Sequence, residues 1–484
     1  VAARAEGLDR GVRLKLWRIG HKLGAAAGML NRVFALDQHQ TTARVEILGG
    51  VTTFVTMAYI IVVNPAILSY AGLPTGASTV ATILAAVLGS LLMGLYANRP
   101  IAVAPYMGEN AFVAFGLTAM GIAWPQALGA VFVSGVLFLL LTLSGIRAWM
   151  AGAISTSLKH SFAAGIGLFM ALIGLYEAGI VTSFVKGLPP EALLGPGGAS
   201  LRAPDVPLKL GDLRDPQVML AILGFLVIVV LQQRRVRGAI LLGMASTSLL
   251  GILLGLGALP DRLVAVPFTG DYSLTLAFEL DVAGVLKLSF LPVLLTLFLM
   301  GFLDTLGTLV AVGAAGNLLD DKGNLPEIEK PMLVDALSCM FAGLVGTTTS
   351  GAYLESATGI REGARTGLAA VTTASLFALS LFFIPLVEPL QQLRFAYAPA
   401  LVAVALAMMG SFRRIDFDDL TEAAPAFATI VMMVFSYNIA NGLTAGLAIY
   451  PLVKIAAGRG RELRPGSVVL ALLCAVYYLF GLPH

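Results

Sequence analysis

Long apolar runs alternate along the chain with short polar or Gly/Pro-rich breaks. The runs near 46–63, 77–96, 125–143, 161–178, 216–232, 238–257 and 288–312 predict membrane-crossing helices, as do those near 331–346, 367–386, 398–410, 422–437 and 440–455. About 20 mostly apolar residues make one helical crossing. Two further runs, 108–119 and 354–360, are too short to cross as helices, and an extended Gly/Pro/Thr-rich stretch precedes each. A last apolar stretch, 466–481, either crosses or lies along the interface.

Composition supports this reading. Of 484 residues, 58% are hydrophobic and 12% charged, against about 25% charged in a soluble domain. So few charges cannot solvate a surface of this size, and the remainder must face lipid. The net charge of +3 is too small to argue for a nucleic-acid partner. The basic residues cluster at 1–44, Arg99, Arg147–Lys159, 232–237, Lys322–Lys330, Arg361 with Arg365, Arg413 with Arg414, and Lys454–Arg464. Counting both short runs as crossings puts every cluster on one side, which the positive-inside rule assigns to the cytoplasm. The expected product is a multi-pass protein of the inner (plasma) membrane with a cytoplasmic amino terminus. Residues 1–45 read as a basic tail near the headgroups rather than a signal peptide. The proline-rich stretch 183–215 becomes the longest outside loop.

The chain also divides into related halves. Glu109 in the first short run and Glu355 in the second stand 246 residues apart. The same offset carries the first span onto the eighth and the fourth close to the eleventh. Seven crossings per half is odd, so the second half must be inverted. The predicted class is therefore an all-α polytopic membrane protein of about 14 segments in two inverted seven-segment repeats. Extended stretches precede half-helices in segments 3 and 10. Paired interrupted segments of this kind point to a transport site near the midplane.

Three constellations carry candidate chemistry. In APYMGENAF (104–112), Pro105 and Gly108 break regular structure before Glu109, Asn110 and Ala111. In GTTTSGAYLESATGI (346–360), a β-prone Thr/Ser stretch ending at Ser350 precedes Tyr353, Glu355 and Ser356. Extended backbone at membrane depth is tolerated only inside protein or beside a cavity, and helix amino termini present free N–H groups. Two such ends at mid-depth would make a polar pocket, in which a carboxylate accepts two donors from a planar ligand. In FLDTLGT (302–308), Asp304 lies deep in an apolar run, where an ionisable residue is functional by default. The plainer alternative has Asp304 capping a broken helix or pairing with Thr305 or Thr308. Glu355 can equally be a helix-terminal charge without a ligand.

Thr52, Thr56 and Tyr59 share one face of the first span, although such side chains also bond back to their own helix. Tyr106 and Tyr353 offer either a flat wall for a ring or a helix contact. Asp335 reads as a charge near a helix amino terminus. Asp416, Asp418 and Asp419 read as a solvated turn beside Arg413 and Arg414. Cys339 and Cys474 lie in apolar runs without metal-ligand spacing, and the four histidines (His21, His39, His160, His484) sit at edges or termini. No cofactor or metal is implied, and no nucleotide-hydrolysing or protease motif occurs. The reading is a secondary transporter, not an enzyme, driven by an ion gradient with Asp304, Glu355 and Glu109 as candidate proton sites. A channel would need a continuous polar path, and an anion carrier a neutral or basic pocket.

The runs LGGVTTFVTMAYIIVVNPAIL (48–68), ANRPIAVAPYMGENAF, FLDTLGTLVAV and TTTSGAYLESATGIREGARTGL match in order. Together they resemble the AzgA-like purine permease branch of the nucleobase–cation symporter-2 family, from about residue 40 to the end. The resemblance implies the uracil-permease fold, with segments 1–4 and 8–11 forming a core domain and 5–7 and 12–14 a gate. The expected divisions are a tail (1–45), core (46–160), gate (161–260), core (261–390) and gate (391–484, with the terminal apolar segment). The resemblance implies proton-coupled purine uptake by an elevator motion, with substrate held by Asp304, Glu355 and the Gly108–Ala111 stretch. Dimers are common in this fold family. One departure bears on substrate: many purine permeases have a small or apolar residue where this chain has Glu109. An added acid suits a ligand with more donors, a cation, or altered coupling. Another planar, nitrogen-rich solute therefore remains an alternative, and the particular base is open.

Overall fold

The computed structural model describes residues 28–144, 153–183, 208–316, 318 and 325–480. Most of the basic tail, the proline-rich part of the loop at 184–207 and most of 317–324 lie outside these residues.

The first apolar run, predicted at 46–63, extends to 43–71 and bends in its middle. Its two pieces are α1 (Ala43–Met57) and α2 (Ile60–Leu68). Pro65 has no N–H and leaves the Ile61 carbonyl without its helical partner. The Gln391 side-chain amide donates to that carbonyl at 2.9 Å. Gly72, with φ of +85°, ends the segment. The chain continues through α3 (Thr75–Leu95), β1 (Val103–Pro105), α4 (Met107–Ala111) with a π-helical continuation over Phe112–Leu117, and α5 (Trp124–Ser144).

Next come α6 (Thr156–Glu177), β2 (Val181–Ser183), β3 (Leu208–Leu210), α7 (Pro216–Gln233) and α8 (Ala239–Leu253). Ser155 caps α6, while Asp215 followed by Pro216 opens α7, as orphaned first-turn N–H groups require. The second half holds α9 (Val282–Val285), α10 (Leu291–Ala315), α11 (Glu329–Val345), β4 (Ser350–Ala352) and α12 (Ser356–Arg361). It ends with α13 (Gly367–Ser380), α14 (Ile384–Gln392), α15 (Arg394–Met408), α16 (Leu420–Phe435), α17 (Ile439–Ala456) and α18 (Pro465–Phe480).

Among the described residues, nine helical stretches are long and apolar enough to cross a membrane. α8 and α16 are shorter apolar helices, α18 begins with one at Pro465–Ala475, and α11 has 17 residues. The two short runs fold as predicted, each a strand followed by a helix. β1 and β4 pair antiparallel, with Val103 opposite Ala352 and Pro105 opposite Ser350. An inverted repeat predicts this antiparallel meeting of equivalent strands.

Packing groups the helices into two sets. In one, α13 lies against α1 and α3, and α11 against α5. In the other, α6 packs on α15 and α16, and α7 and α8 pack on each other and on α15. Glycines set the closest approaches: a Cβ on Gly367 would stand 1.9 Å from the Gly94 carbonyl oxygen. Leu223, Leu249 and Phe435 point outward, as lipid-facing positions should.

Candidate functional site

The strand pair is fully buried, so its outer backbone groups need partners inside the protein. Side chains supply them. Ser90 Oγ accepts from the Val103 N–H at 2.9 Å and Ser356 Oγ from the Ala102 N–H at 3.0 Å. On the other strand, Asp335 Oδ2 accepts from the Ala352 N–H at 3.0 Å, and Cys339 donates to the Ser350 carbonyl at 3.0 Å. The ladder continues at both ends, where Tyr106 N–H donates to Thr349 O and Tyr353 N–H to Ala102 O, each at 2.9 Å. The tyrosines thus leave the ladder in equivalent positions, with rings 7° from parallel and centroids 6.4 Å apart.

Asp335 departs from the sequence reading. It lies well inside α11 and is fully buried. Besides Ala352, its Oδ2 accepts from Thr305 Oγ1 at 2.9 Å and from the Tyr106 hydroxyl at 3.4 Å. Rather than marking a helix end, it joins α10 and both interrupted segments. The sequence conceals this because its partners come from three separate parts of the chain.

The strands and half-helices back a cavity of about 830 Å³ between the two helix sets. One wall carries Thr52, Thr56 and Tyr59 from the first segment, Asp304 and Thr308 from α10, and Glu355 and Thr358 at α12. Gly108, Tyr106 and Tyr353 line it too, and Ala403, Val404 and Ala407 of α15 face them. Glu355 sits at the α12 N-cap and accepts from the Tyr59 hydroxyl at 2.8 Å. Thr56 Oγ1 bonds back to the Thr52 and Thr53 carbonyls at 3.0 and 2.8 Å, and meets Thr358 Oγ1 at 3.0 Å. Both readings of Thr56 hold together: it satisfies its own helix and lines the cavity.

Other expected residues lie behind this wall. Asn110 donates to Asn64 Oδ1 at 2.6 Å, and Asn64 donates to Thr82 and Thr347 at 2.7 and 3.0 Å. Ala111, Ser350 and Ser356 are buried and do not line the cavity. Ser356 is occupied with the strand backbone and Asn110 with Asn64. In this conformation none of these four lines the cavity, where the sequence reading expects them to meet substrate.

Glu109 is also fully buried behind the wall, and neither carboxylate oxygen has a hydrogen-bond partner among the described residues. A Cβ on Gly301 would stand 4.0 Å from its Oε1. Gly301 is one turn before Asp304 on α10, so Glu109 lies against α10 within a turn of Asp304.

The cavity also reaches the turn between α7 and α8, where Gln232, Arg235 and Arg237 line it together with Arg361 and Glu362. Arg237 pairs with Glu362 across this mouth. Near the other end of the helices, Tyr70 donates to Glu177, which also accepts from the Tyr397 hydroxyl at 3.1 Å and faces Arg394 at 3.7 Å. The Phe115 ring lies 5.3 Å from Tyr70 and 6.0 Å from Tyr437. The sequence marks 232–237 and Arg361 as basic clusters without joining them to a site, and it gives no sign of the Tyr70–Glu177 cluster. The Asp416–Asp419 stretch is the expected turn: Asp416 accepts the Asp418 and Asp419 N–H groups, and Asp419 caps α16 and pairs with Arg459 at 2.6 Å.

Comparison with known proteins places this geometry in context. A profile described as "Permease family" matches residues 44–444. The chain is 39% identical to an adenine permease of Escherichia coli, over 94% of this chain and 96% of that one. It is 38% identical to a guanine/hypoxanthine permease of Bacillus subtilis, over 91% of this chain and 98% of that one. Among solved structures, the transmembrane domain of a cyanobacterial bicarbonate transporter aligns with a TM-score of 0.59 at 16% identity. That alignment covers 83% of this chain and 97% of the other, and it speaks to fold alone.

Proposed function

This chain belongs to the permease family matched over residues 44–444, a family of nucleobase transporters, and on that premise we propose that it imports a purine base by proton-coupled alternating access. The observation that carries the reading is the position of Glu355. Tyr59 holds its carboxylate at the start of a half-helix, on the wall of the cavity that Asp304 also lines. A carboxylate accepts two parallel N–H donors in plane, the pattern guanine offers at its N1–H and 2-amino edge, where hypoxanthine offers one donor. The near-parallel Tyr106 and Tyr353 rings border the same space.

In this reading, α1–α5 and α10–α13 form the moving core, and α6–α8 with α15–α17 form the gate. The fourteen-segment count requires α8, α11, α16 and both interrupted segments to cross with the longer helices. The cavity mouth at Arg235 and Arg237 belongs to the cytoplasmic side by the positive-inside rule, which makes this an inward-open conformation in the inner membrane. Asp304, Glu355 and Glu109 are the candidate proton sites. The adenine and guanine/hypoxanthine relatives support a purine, while Asp304 and Glu355 on the inner wall disfavour an anionic group at that depth.

The test is a thermal-shift panel on purified protein with adenine, guanine, hypoxanthine, xanthine, uracil and small guanidino compounds. A ligand that binds only the folded state raises its apparent stability. A shift with one purine that disappears in Glu355→Gln is the expected result. A shift with a non-purine alone would refute the purine assignment.

A further inference from the structure

A purine base is smaller than the space available. The cavity of about 830 Å³ falls within the range that holds drug-sized ligands. Its charges are also sorted by position. Asp304 and Glu355 stand on the inner wall, while Arg235, Arg237 and Arg361 stand toward the mouth. Arg237 is occupied by Glu362. Arg235 and Arg361 are exposed cavity-lining residues that make no ion pair among the described residues.

One helix connects the two zones. Glu355, Thr358, Arg361 and Glu362 all line the cavity from α12 and its ends. Six residues separate Glu355 from Arg361, a rise of about 9 Å along a helix. That separation suits a ligand with a hydrogen-bonding base at one end and a phosphate at the other. The guanidinium fork of arginine pairs with phosphate oxygens bidentately.

We infer that the inward-open cavity also binds purine nucleoside 5′-monophosphates from the cytoplasmic side, the base on Glu355 and the phosphate on Arg361 and Arg235. The inference rests on the purine reading above and adds regulation to the same site. Such a ligand holds the cavity open toward its mouth without being carried, because its phosphate remains bound at the rim. Phosphoribosyl transfer to an imported base is the class of reaction that produces this ligand. Accumulated product would then slow further import.

The experiment uses the full-length protein in inside-out vesicles or detergent, with binding of radiolabelled adenine or guanine as the readout. AMP, GMP and IMP should compete with the base, while inorganic phosphate at the same concentration should not. Arg361→Gln should weaken nucleotide competition at least tenfold and leave base affinity unchanged, with Arg235→Gln a second variant expected to act in the same direction. Base binding without nucleotide competition overturns this inference alone. Equal competition by inorganic phosphate, or undiminished nucleotide competition in both variants, also overturns it. Failure of any base to bind overturns the transport reading and this inference with it.

Discussion

The Tyr59 hydroxyl donates to Glu355 Oε1 at 2.8 Å, joining the bend of the first segment to the half-helix of the second repeat. Tyr59 is 1% exposed and Glu355 borders the cavity, so the bond fixes the carboxylate and still leaves acceptor capacity on both oxygens. Close approach makes it possible: a Cβ on Gly359 would stand 2.3 Å from the Gly49 carbonyl oxygen.

Glu355→Gln should abolish purine binding while the protein stays folded. The substitution keeps the shape but replaces one acceptor by a donor, and a hydrogen bond to a charged group is worth about 1.5–3 kcal/mol. Affinity should fall at least tenfold in a binding assay, with an unchanged elution profile. Tyr59→Phe should cost less, because Glu355 retains both oxygens. Near-normal binding by Glu355→Gln would remove Glu355 from the site.

Asp335 gives a stability prediction. Asp335→Ala leaves the buried Ala352 N–H without an acceptor, and an unpaired buried donor costs about 1–3 kcal/mol. The apparent melting temperature should drop clearly. Asp335→Asn keeps an acceptor oxygen and should fall less. Equal melting temperatures for the two variants would mean that this bond does not support the strand pair.

Much of this arrangement is legible in the sequence. Gly108 with Glu109 and Gly351 with Glu355 mark both interrupted segments, because breakers and acids inside apolar runs have few other uses. The antiparallel strand pair follows from inversion. Side-chain partnerships across the fold are not legible. Asn110 lies beside Glu109 in the chain yet turns to Asn64, and Asp335 serves a strand from the next element. Glu46 is a further case: it is fully buried and accepts the Arg365 and Thr366 N–H groups at 2.8 and 3.2 Å. Hydrophobic periodicity reports burial, but not which orphaned backbone group a buried acid will meet.

The close helix crossing predicts a steric effect. Gly367→Ala would place its Cβ against the Gly94 carbonyl oxygen, where backbone rather than a flexible side chain must yield. Overpacking of this kind costs about 1–3 kcal/mol. Gly307→Ala is the control, since nothing lies within 4 Å of its Cβ position. The first should lower thermal stability and the second should not. Equal stability would show that α3 and α13 separate without strain.

Tyr70 and Glu177 join the two helix sets away from the open mouth. Removing that bond should favour the conformation open on the other side. A cysteine at Thr308, on the cavity wall, reports access from the mouth, and the native Cys339 and Cys474 are buried. Tyr70→Phe and Glu177→Gln should each slow labelling of Thr308→Cys, because losing a bond to a charged group worth about 1.5–3 kcal/mol shifts the equilibrium constant between the two conformations at least about tenfold. Unchanged labelling in both would show that the cluster does not hold the outer side closed.

Glu109 offers a way to test coupling apart from binding. Its carboxylate has no hydrogen-bond partner among the described residues, lies off the cavity wall and approaches α10 one turn before Asp304. Asp304 and Glu355 line the cavity, whereas Glu109 does not. Glu109→Gln removes a group able to gain and lose a proton while preserving volume, so base affinity should change little. Exchange of labelled for unlabelled base across a vesicle membrane needs only the loaded carrier to move, and it should persist. Uphill accumulation driven by a pH gradient needs net proton movement, and it should fall at least tenfold. Loss of exchange together with accumulation would make Glu109 structural, and normal accumulation would assign coupling to Asp304 or Glu355 instead.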